Sequence, residues 1–307
     1  MNRREVLLGT GAAALTLGLG PFPLGWTAPT AGQKKRILMY TKSEGYEHDV
    51  VKRKGDELSL AEKIATRLGK SHGFEVTCEK DGKVFLSDSI KDYDGFLFES
   101  QGDLTSDKGV DHQPPMPPEG KKMLLQLVAE GKGFVGCHCA SDTFHSPGHY
   151  KHRWQSQRDQ VDPYIAMVGG EFAGHGEQQR AWMRVVDPNF PGIKGMSDFG
   201  LAEEWYSLKN FAPDLHVILV QETKGMKNFD YERPDFPATW ARMHEKGRVF
   251  YTSMGHRDDV WTNPLFHQVL LGGLSWALGN VNADVTPNLD RVAPKANELP
   301  KESEQKK

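Results

Sequence analysis

The chain has 307 residues, 38% of them hydrophobic and 26% charged, which is enough apolar material for a core and too much for disorder. Net charge is -3, and -4 once Met1–Ala31 with Arg3, Arg4 and Glu5 is set aside, so the chain offers no electrostatic footprint for nucleic acid or an anionic membrane. Three cysteines, two of them at Cys137 and Cys139, exclude a disulfide scaffold.

The N-terminus reads as an address. Arg3-Arg4 precedes a Gly- and Ala-rich apolar run from Val6 to Gly20, shorter than the ~20 residues that span a bilayer. Residues 1–31 are therefore expected to be a twin-arginine export signal, cut between Thr27 and Lys34, giving a periplasmic or otherwise exported protein. A strand is predicted at Arg36–Tyr40. A helix follows, with Leu58, Ala61, Ile64, Ala65 and Leu68 at helical spacing. Strands at Phe74–Cys78 and Gly95–Phe98, a polar loop at Thr105–Gly120, a helix at Lys121–Val128 and a strand at Gly133–Gly136 come next. Fully apolar strands alternating with helices predict a parallel sheet covered on both faces. The strands predicted at Trp182–Val186, His216–Gln221, Ala238–Met243 and Arg248–Thr252 have short connections, which suits antiparallel pairing or an edge extension. A last helix is predicted at Pro264–Leu278. Residues 284–307 are Pro-, Lys- and Glu-rich and are expected to form a disordered polar tail, leaving 32–283 as one domain.

Ligands of open parallel sheets bind beyond the carboxyl ends of the strands. The first strand is followed by Gly45-Tyr46-Glu47-His48-Asp49 and the third by Glu99-Ser100-Gln101-Gly102-Asp103. The fourth leads into Gly136-Cys137-His138-Cys139-Ala140-Ser141-Asp142, and Arg248–Thr252 into Ser253-Met254-Gly255-His256-Arg257 with Trp261 beyond. Three strand ends thus deliver a histidine with a carboxylate nearby, which points to one shared site. Gly174-His175 in a Gly-rich loop and Glu203-Glu204-Trp205-Tyr206 are expected to join it, the aromatics against a sugar ring and the acids for hydroxyls or proton transfer. Cys137 and Cys139 alternate with His138 and are read as packing residues facing away from it. His145, His149 and His152 lie in a polar loop, where they either bind zinc or are solvated. No dinucleotide, phosphate-loop, HExxH or GxSxG motif is present, so no nucleotide cofactor is expected.

Gly136–Phe144, Met167–His175, and Arg248–His256 with Trp261 resemble the signature segments of the ThuA-like (trehalose utilisation) family. Asp94-Gly95-Phe96 and Glu203–Tyr206 fit it too, so the resemblance spans about Arg36–Gly279. It implies an α/β fold, the flavodoxin-like or class I glutamine amidotransferase-like parallel sheet flanked by helices. His138 stands where that fold places a nucleophilic cysteine, which argues against glutamine hydrolysis because imidazole cannot replace the thiolate. The resemblance also implies sugar metabolism alongside dehydrogenases that make 3-keto-glycosides. For such a substrate the expected assignment is His138 as base, Glu204 as acid, and His175, His256 and His48 as enolate stabilisers or metal ligands. Asp49, Asp142, Glu203, Trp205, Tyr206, Arg257 and Trp261 are expected around the substrate. A divalent cation, zinc first, is the cofactor considered, and a small carbohydrate the partner, with homo-oligomerisation left open. Two other readings stand: a metal-dependent hydrolase of an ordinary glycoside or ester, and a non-catalytic sugar-binding protein.

Overall fold

The computed structural model describes residues 34–301. The expected export signal therefore lies outside the described residues, apart from Lys34 at the end of its cleavage window. Among the described residues no helix is long and apolar enough to cross a membrane.

The chain runs through β1 (Lys35–Tyr40), α1 (Leu60–His72), β2 (Phe74–Glu79), β3 (Gly95–Phe98), α2 (Pro118–Ala129) and β4 (Gly133–Cys137). Then follow α3 (Pro163–Val168), β5 (Glu171–His175), β6 (Gln179–Val185), β7 (Phe199–Glu203), β8 (Tyr206–Lys209) and β9 (His216–Glu222). The last elements are β10 (Phe236–His244), β11 (Gly247–Thr252), α4 (Asp258–Trp261), α5 (Pro264–Ala277) and α6 (Leu289–Val292). The large sheet has the order β2-β1-β3-β4-β11-β10-β9-β6-β7. From β2 to β11 neighbours pair in parallel, and from β11 to β7 they pair antiparallel. A separate antiparallel ribbon joins β5 and β8.

Alternation along the central strands builds two cores. In β1, Ile37 and Met39 face one core and Leu38 and Tyr40 the other, as side chains of period two must. The first core receives Ile64 and Leu68 of α1 and Val269 and Leu270 of α5. The second receives Leu124 and Val128 of α2 and Ile165 of α3. This is the α/β, flavodoxin-like arrangement, with an antiparallel extension on one side. Local signals agree with it: Ser59 and Glu62 close a capping box on α1, and Asn263 caps α5 ahead of Pro264.

The segment after Asp284 corrects the expectation of a disordered tail as far as Lys301. Leu289, Ala293 and Ala296 are buried in the second core. The Asn288 side chain accepts from the Val217 N–H (2.7 Å) and donates to the Val217 carbonyl (3.0 Å), copying a strand partner. Composition concealed this because few apolar side chains do the docking and polar contacts complete it: the Asn297 side chain accepts from the Phe211 N–H (3.0 Å), and Arg233 donates to the Ala296 carbonyl. Replacing Asn288 with Ala leaves both Val217 groups unpaired and is expected to cost about 1–3 kcal/mol, read as an earlier denaturant midpoint. An unchanged midpoint would show that the segment is not docked.

Candidate active site

The site forms where β1, β3, β4 and β11 end and the β5–β8 ribbon folds over them. The β4 exit is a tight elbow, with His138 in the left-handed region at φ +37°. Such a backbone costs a β-carbon residue about 1–3 kcal/mol and persists only when its surroundings impose it. Here the Tyr251 hydroxyl donates to the His138 carbonyl (2.7 Å), and the Ser141 hydroxyl donates to that same carbonyl (3.1 Å) and meets Tyr251 at 2.8 Å. The His138 ring packs at a tilt against Tyr206, centroids 3.9 Å apart, and its Nδ1 lies 3.2 Å from the Ser253 carbonyl. A carbonyl only accepts, so Nδ1 carries the hydrogen and the Nε2 lone pair faces the site.

Glu204, in the short gap between β7 and β8, is the centre of the arrangement. One carboxylate oxygen lies 3.5 Å from His138 Nε2 and 3.1 Å from His256 Nδ1, and the other lies 3.5 Å from His175 Nδ1. His48, delivered from the loop after β1, packs edge-on to His138 and His256 with centroids 5.1 and 5.0 Å apart. Its Nε2 is 3.5 Å from the Tyr206 hydroxyl. Burial alone would raise the Glu204 carboxyl, but the His138 and His256 rings outweigh it and hold the group far below the carboxylate range. Burial lowers His138 and lowers His48 further, the latter also through its neighbouring histidines. Burial would lower His256 too, yet contact with Glu204 raises it.

His48, His138, Glu204 and His256 each offer one ligand atom within 4.8 Å of the others. His48 Nδ1 and His138 Nε2 are buried without a hydrogen-bond partner. Buried polar atoms normally have partners, so the unpartnered nitrogens of His48 and His138 beside the Glu204 carboxylate fit a cation, which would replace the proton that His256 Nδ1 directs at Glu204. Imidazole and carboxylate donors suit the borderline divalent transition metals as a class.

Above this cluster lies a cavity of ≈ 410 Å³, lined by Tyr46, His48, Gln101, Asp142, Arg153, Phe172, Gly174, His175, Glu204, Tyr206 and Asp230. Gly174 is needed there: a β-carbon would sit 2.5 Å from Asp230 Oδ1 and 2.9 Å from Trp154. His175 Nδ1 is 3.0 Å from the Gly176 carbonyl, which leaves Nε2 as the free acceptor on a half-exposed ring. Burial raises the Asp230 carboxyl.

The expected residues divide accordingly. His48, His138, His175, Glu204, Tyr206 and His256 come together, with Asp142 on the cavity wall. Trp205 is corrected: it is fully buried, its indole N–H donates to the Leu201 carbonyl, and it packs in the core. Trp261 is likewise buried, and its indole N–H donates to the Gly255 carbonyl (2.7 Å), holding the loop that presents His256. Glu203 points away from the cavity and accepts from the His256 backbone N–H (2.5 Å), its carboxyl pushed up by burial to about 7. Asp49 is exposed at the start of a 3-10 turn and is absent from the cavity lining. Arg257 pairs with Asp259 and donates to Gln178, whose amide meets His256 Nε2 at 2.9 Å. Cys137 and Cys139 are packing residues as expected, but they enter opposite cores rather than one face away from His138, because the chain leaves the strand at His138 and alternation ends there. Tyr46, Gln101, Arg153, Phe172 and Asp230 were not assigned to the site from sequence. Tyr46 and Gln101 stood in the strand-end segments already singled out, whereas Asp230 arrives from the β9–β10 connection without a motif.

The family model for trehalose utilisation, ThuA, matches residues 36–277. A ThuA-like protein from Bacteroides uniformis ATCC 8492 superposes with a TM-score of 0.58 at 17% identity, covering 84% of this chain and 95% of that one. One from Parabacteroides merdae ATCC 43184 gives 0.57 at 17% identity, with 83% and 95% covered. No curated protein matches the sequence. The fold and its strand-end cluster define an α/β protein of the flavodoxin-like class. The chain belongs to the ThuA (trehalose utilisation) family, which points to a carbohydrate-related role.

The Glu204 ion pairs impose a pH window on the metal-free protein. The depressed carboxylate stabilises the fold above the unfolded Glu pKa of ~4.3 and loses that contribution as pH falls below it. The raised His256 stabilises fully below its unfolded pKa of ~6.5 and loses it as pH rises through the higher folded value. The deficit of Glu204→Gln in melting temperature should therefore be widest between about pH 4.3 and 6.5. A deficit independent of pH would remove the ionic account.

Proposed function

We propose that this protein is an exported carbohydrate-cleaving enzyme that opens the glycosidic bond of 3-keto-glycosides, including oxidised trehalose-type disaccharides, by acid/base elimination. The carrying observation is the cluster of His48, His138, His256 and the Glu204 carboxylate beneath a cavity whose walls hold a free His175 Nε2 and the Asp230 carboxyl. A divalent cation held by His48, His138, His256 and Glu204 would polarise the C3 carbonyl and offset charge developing on its oxygen.

The remaining chemistry falls to the side chains of the wall. A ketone at C3 acidifies the proton on C2. His175 Nε2 removes it, and the electron pair forms the C1–C2 double bond as the C1–O glycosidic bond breaks. Asp230, raised by burial, protonates the departing oxygen, which leaves as an alcohol. Water then adds to C1 and releases the 3-keto sugar. Relative to the assignment from sequence, the base moves from His138 to His175 and the acid from Glu204 to Asp230. The reason is electrostatic: Glu204 is held ionised and has no proton to donate, and the His138 lone pair is spent on the cluster. Tyr46 and Phe172 present ring faces and edges to the sugar, while Gln101 and Asp142 supply hydroxyl partners.

The hydrolase reading differs in needing no prior oxidation of the sugar. The test offers metal-free and metal-restored protein 3-keto-trehalose and trehalose in parallel, with products followed by NMR. Cleavage of the keto sugar alone is expected, and His175→Ala and Asp230→Asn should each reduce it by ~10²-fold or more. Cleavage of trehalose at a comparable rate would replace elimination with hydrolysis. Binding without cleavage of either sugar would leave a sugar-binding protein.

A further inference from the structure

We propose that Asp142, His145 and His149 form a second divalent-cation site, distinct from the Glu204 cluster, which fixes the loop that walls the cavity. From sequence this loop could equally have been solvated. Instead His149 is 2% exposed and both rings are packed, stacked at 3.9 Å with planes 11° apart. One ligand atom from each of the three side chains lies within 4.8 Å of the others.

The surrounding shell is what a metal site requires. Glu171 lies 3.8 Å from His145 Nδ1 and 3.3 Å from His149 Nδ1, so one carboxylate faces the same nitrogen of both rings. Glu171 is itself fixed by the Ser146 N–H (2.7 Å), the Ser146 hydroxyl (2.9 Å) and the Asn210 amide (2.6 Å). A carboxylate on the Nδ1 side of both rings, within hydrogen-bond distance of His149 alone, favours Nε2 lone pairs directed outward, which is the usual support for metal-binding histidines. His145 Nε2 then lies 2.9 Å from Asp142 Oδ1, and His149 Nε2 is buried with no hydrogen-bond partner at all. A stable structural role would have paired that nitrogen. Although burial opposes it, Asp142 and Glu171 raise His145 to about 9 in the metal-free protein, so a cation bound here would take the place of that proton. The other Asp142 oxygen accepts from the Gln101 amide (2.8 Å), and Gln101 in turn accepts from the Gly45 and Tyr46 N–H groups, so the site is tied to both walls of the cavity. Two imidazoles and a carboxylate select the zinc-like divalent metals over magnesium or calcium.

The test counts metal on the full chain. Metal-free protein is titrated with Zn²⁺ and read by native mass spectrometry, alongside His149→Gln and Glu204→Gln. His149→Gln should bind one zinc fewer than wild type, and the double variant fewer than either single. Asp142→Asn, which keeps the side-chain shape, should lose the same zinc and so guards against misfolding of the first variant. Zinc should also raise the melting temperature of Glu204→Gln but not of the double variant. Equal zinc content in wild type, His149→Gln and Asp142→Asn would overturn the proposal, with a proton on His145 then taking the cation's place. Zinc content unchanged by Glu204→Gln, with one zinc lost in His149→Gln, would instead count against the proposed catalytic site.

Discussion

A single partly buried carboxylate organises this structure. Glu204 is held as an anion against His138, His256 and His175, at 3.5, 3.1 and 3.5 Å. Taking a carboxylate out of water costs several kcal/mol unless its partners are well placed. The partners come from three remote places, the β4 elbow, the β11 exit and the end of β5, and meet at the β7–β8 gap that carries Glu204. The ribbon of β5 and β8 is therefore placed as much by charge as by packing.

The elbow at His138 is the mechanical counterpart. Its left-handed backbone is sustained by the hydroxyls of Tyr251 and Ser141, both buried. In the related superfamily architecture such a turn exposes a nucleophile. Here the imidazole faces inward among other histidines, and the two neighbouring cysteines are buried with thiols pushed upward by desolvation. Nucleophilic thiolate chemistry has no supplier at this turn. The indole of Trp261 and the carboxyl of Glu203 complete the support by holding the Gly255–His256 backbone from behind.

The parallel half of the fold was legible because β1, β3 and β4 are buried on both faces and read as unbroken apolar runs. The antiparallel half was legible in its longer strands. The short β5, β7 and β8 carry Gly, Glu and Lys, so no apolar run or clean alternation announced them. Histidines at strand ends could be gathered from topology alone. Their neighbours could not: Trp205 and Trp261 match the residue types that stack on sugars, yet both are consumed in the core. Asp230 and Glu171 act only through the fold, since their partners lie far away in sequence. The docked segment to Lys301 was hidden for a related reason, since the amides of Asn288 and Asn297, the Arg233 guanidinium and a few apolar side chains hold it through distant partners.

The central claim is that Glu204 gathers His48, His138 and His256 into a cation-binding centre at the floor of the cavity. The most direct measurement is an anomalous-difference map from crystals equilibrated with Co²⁺, collected across the cobalt absorption edge. The account predicts a peak bounded by those four side chains, with Glu204 and the histidines as ligands. A map with no peak there, while the same crystals keep Glu204 paired to its histidines, would contradict it.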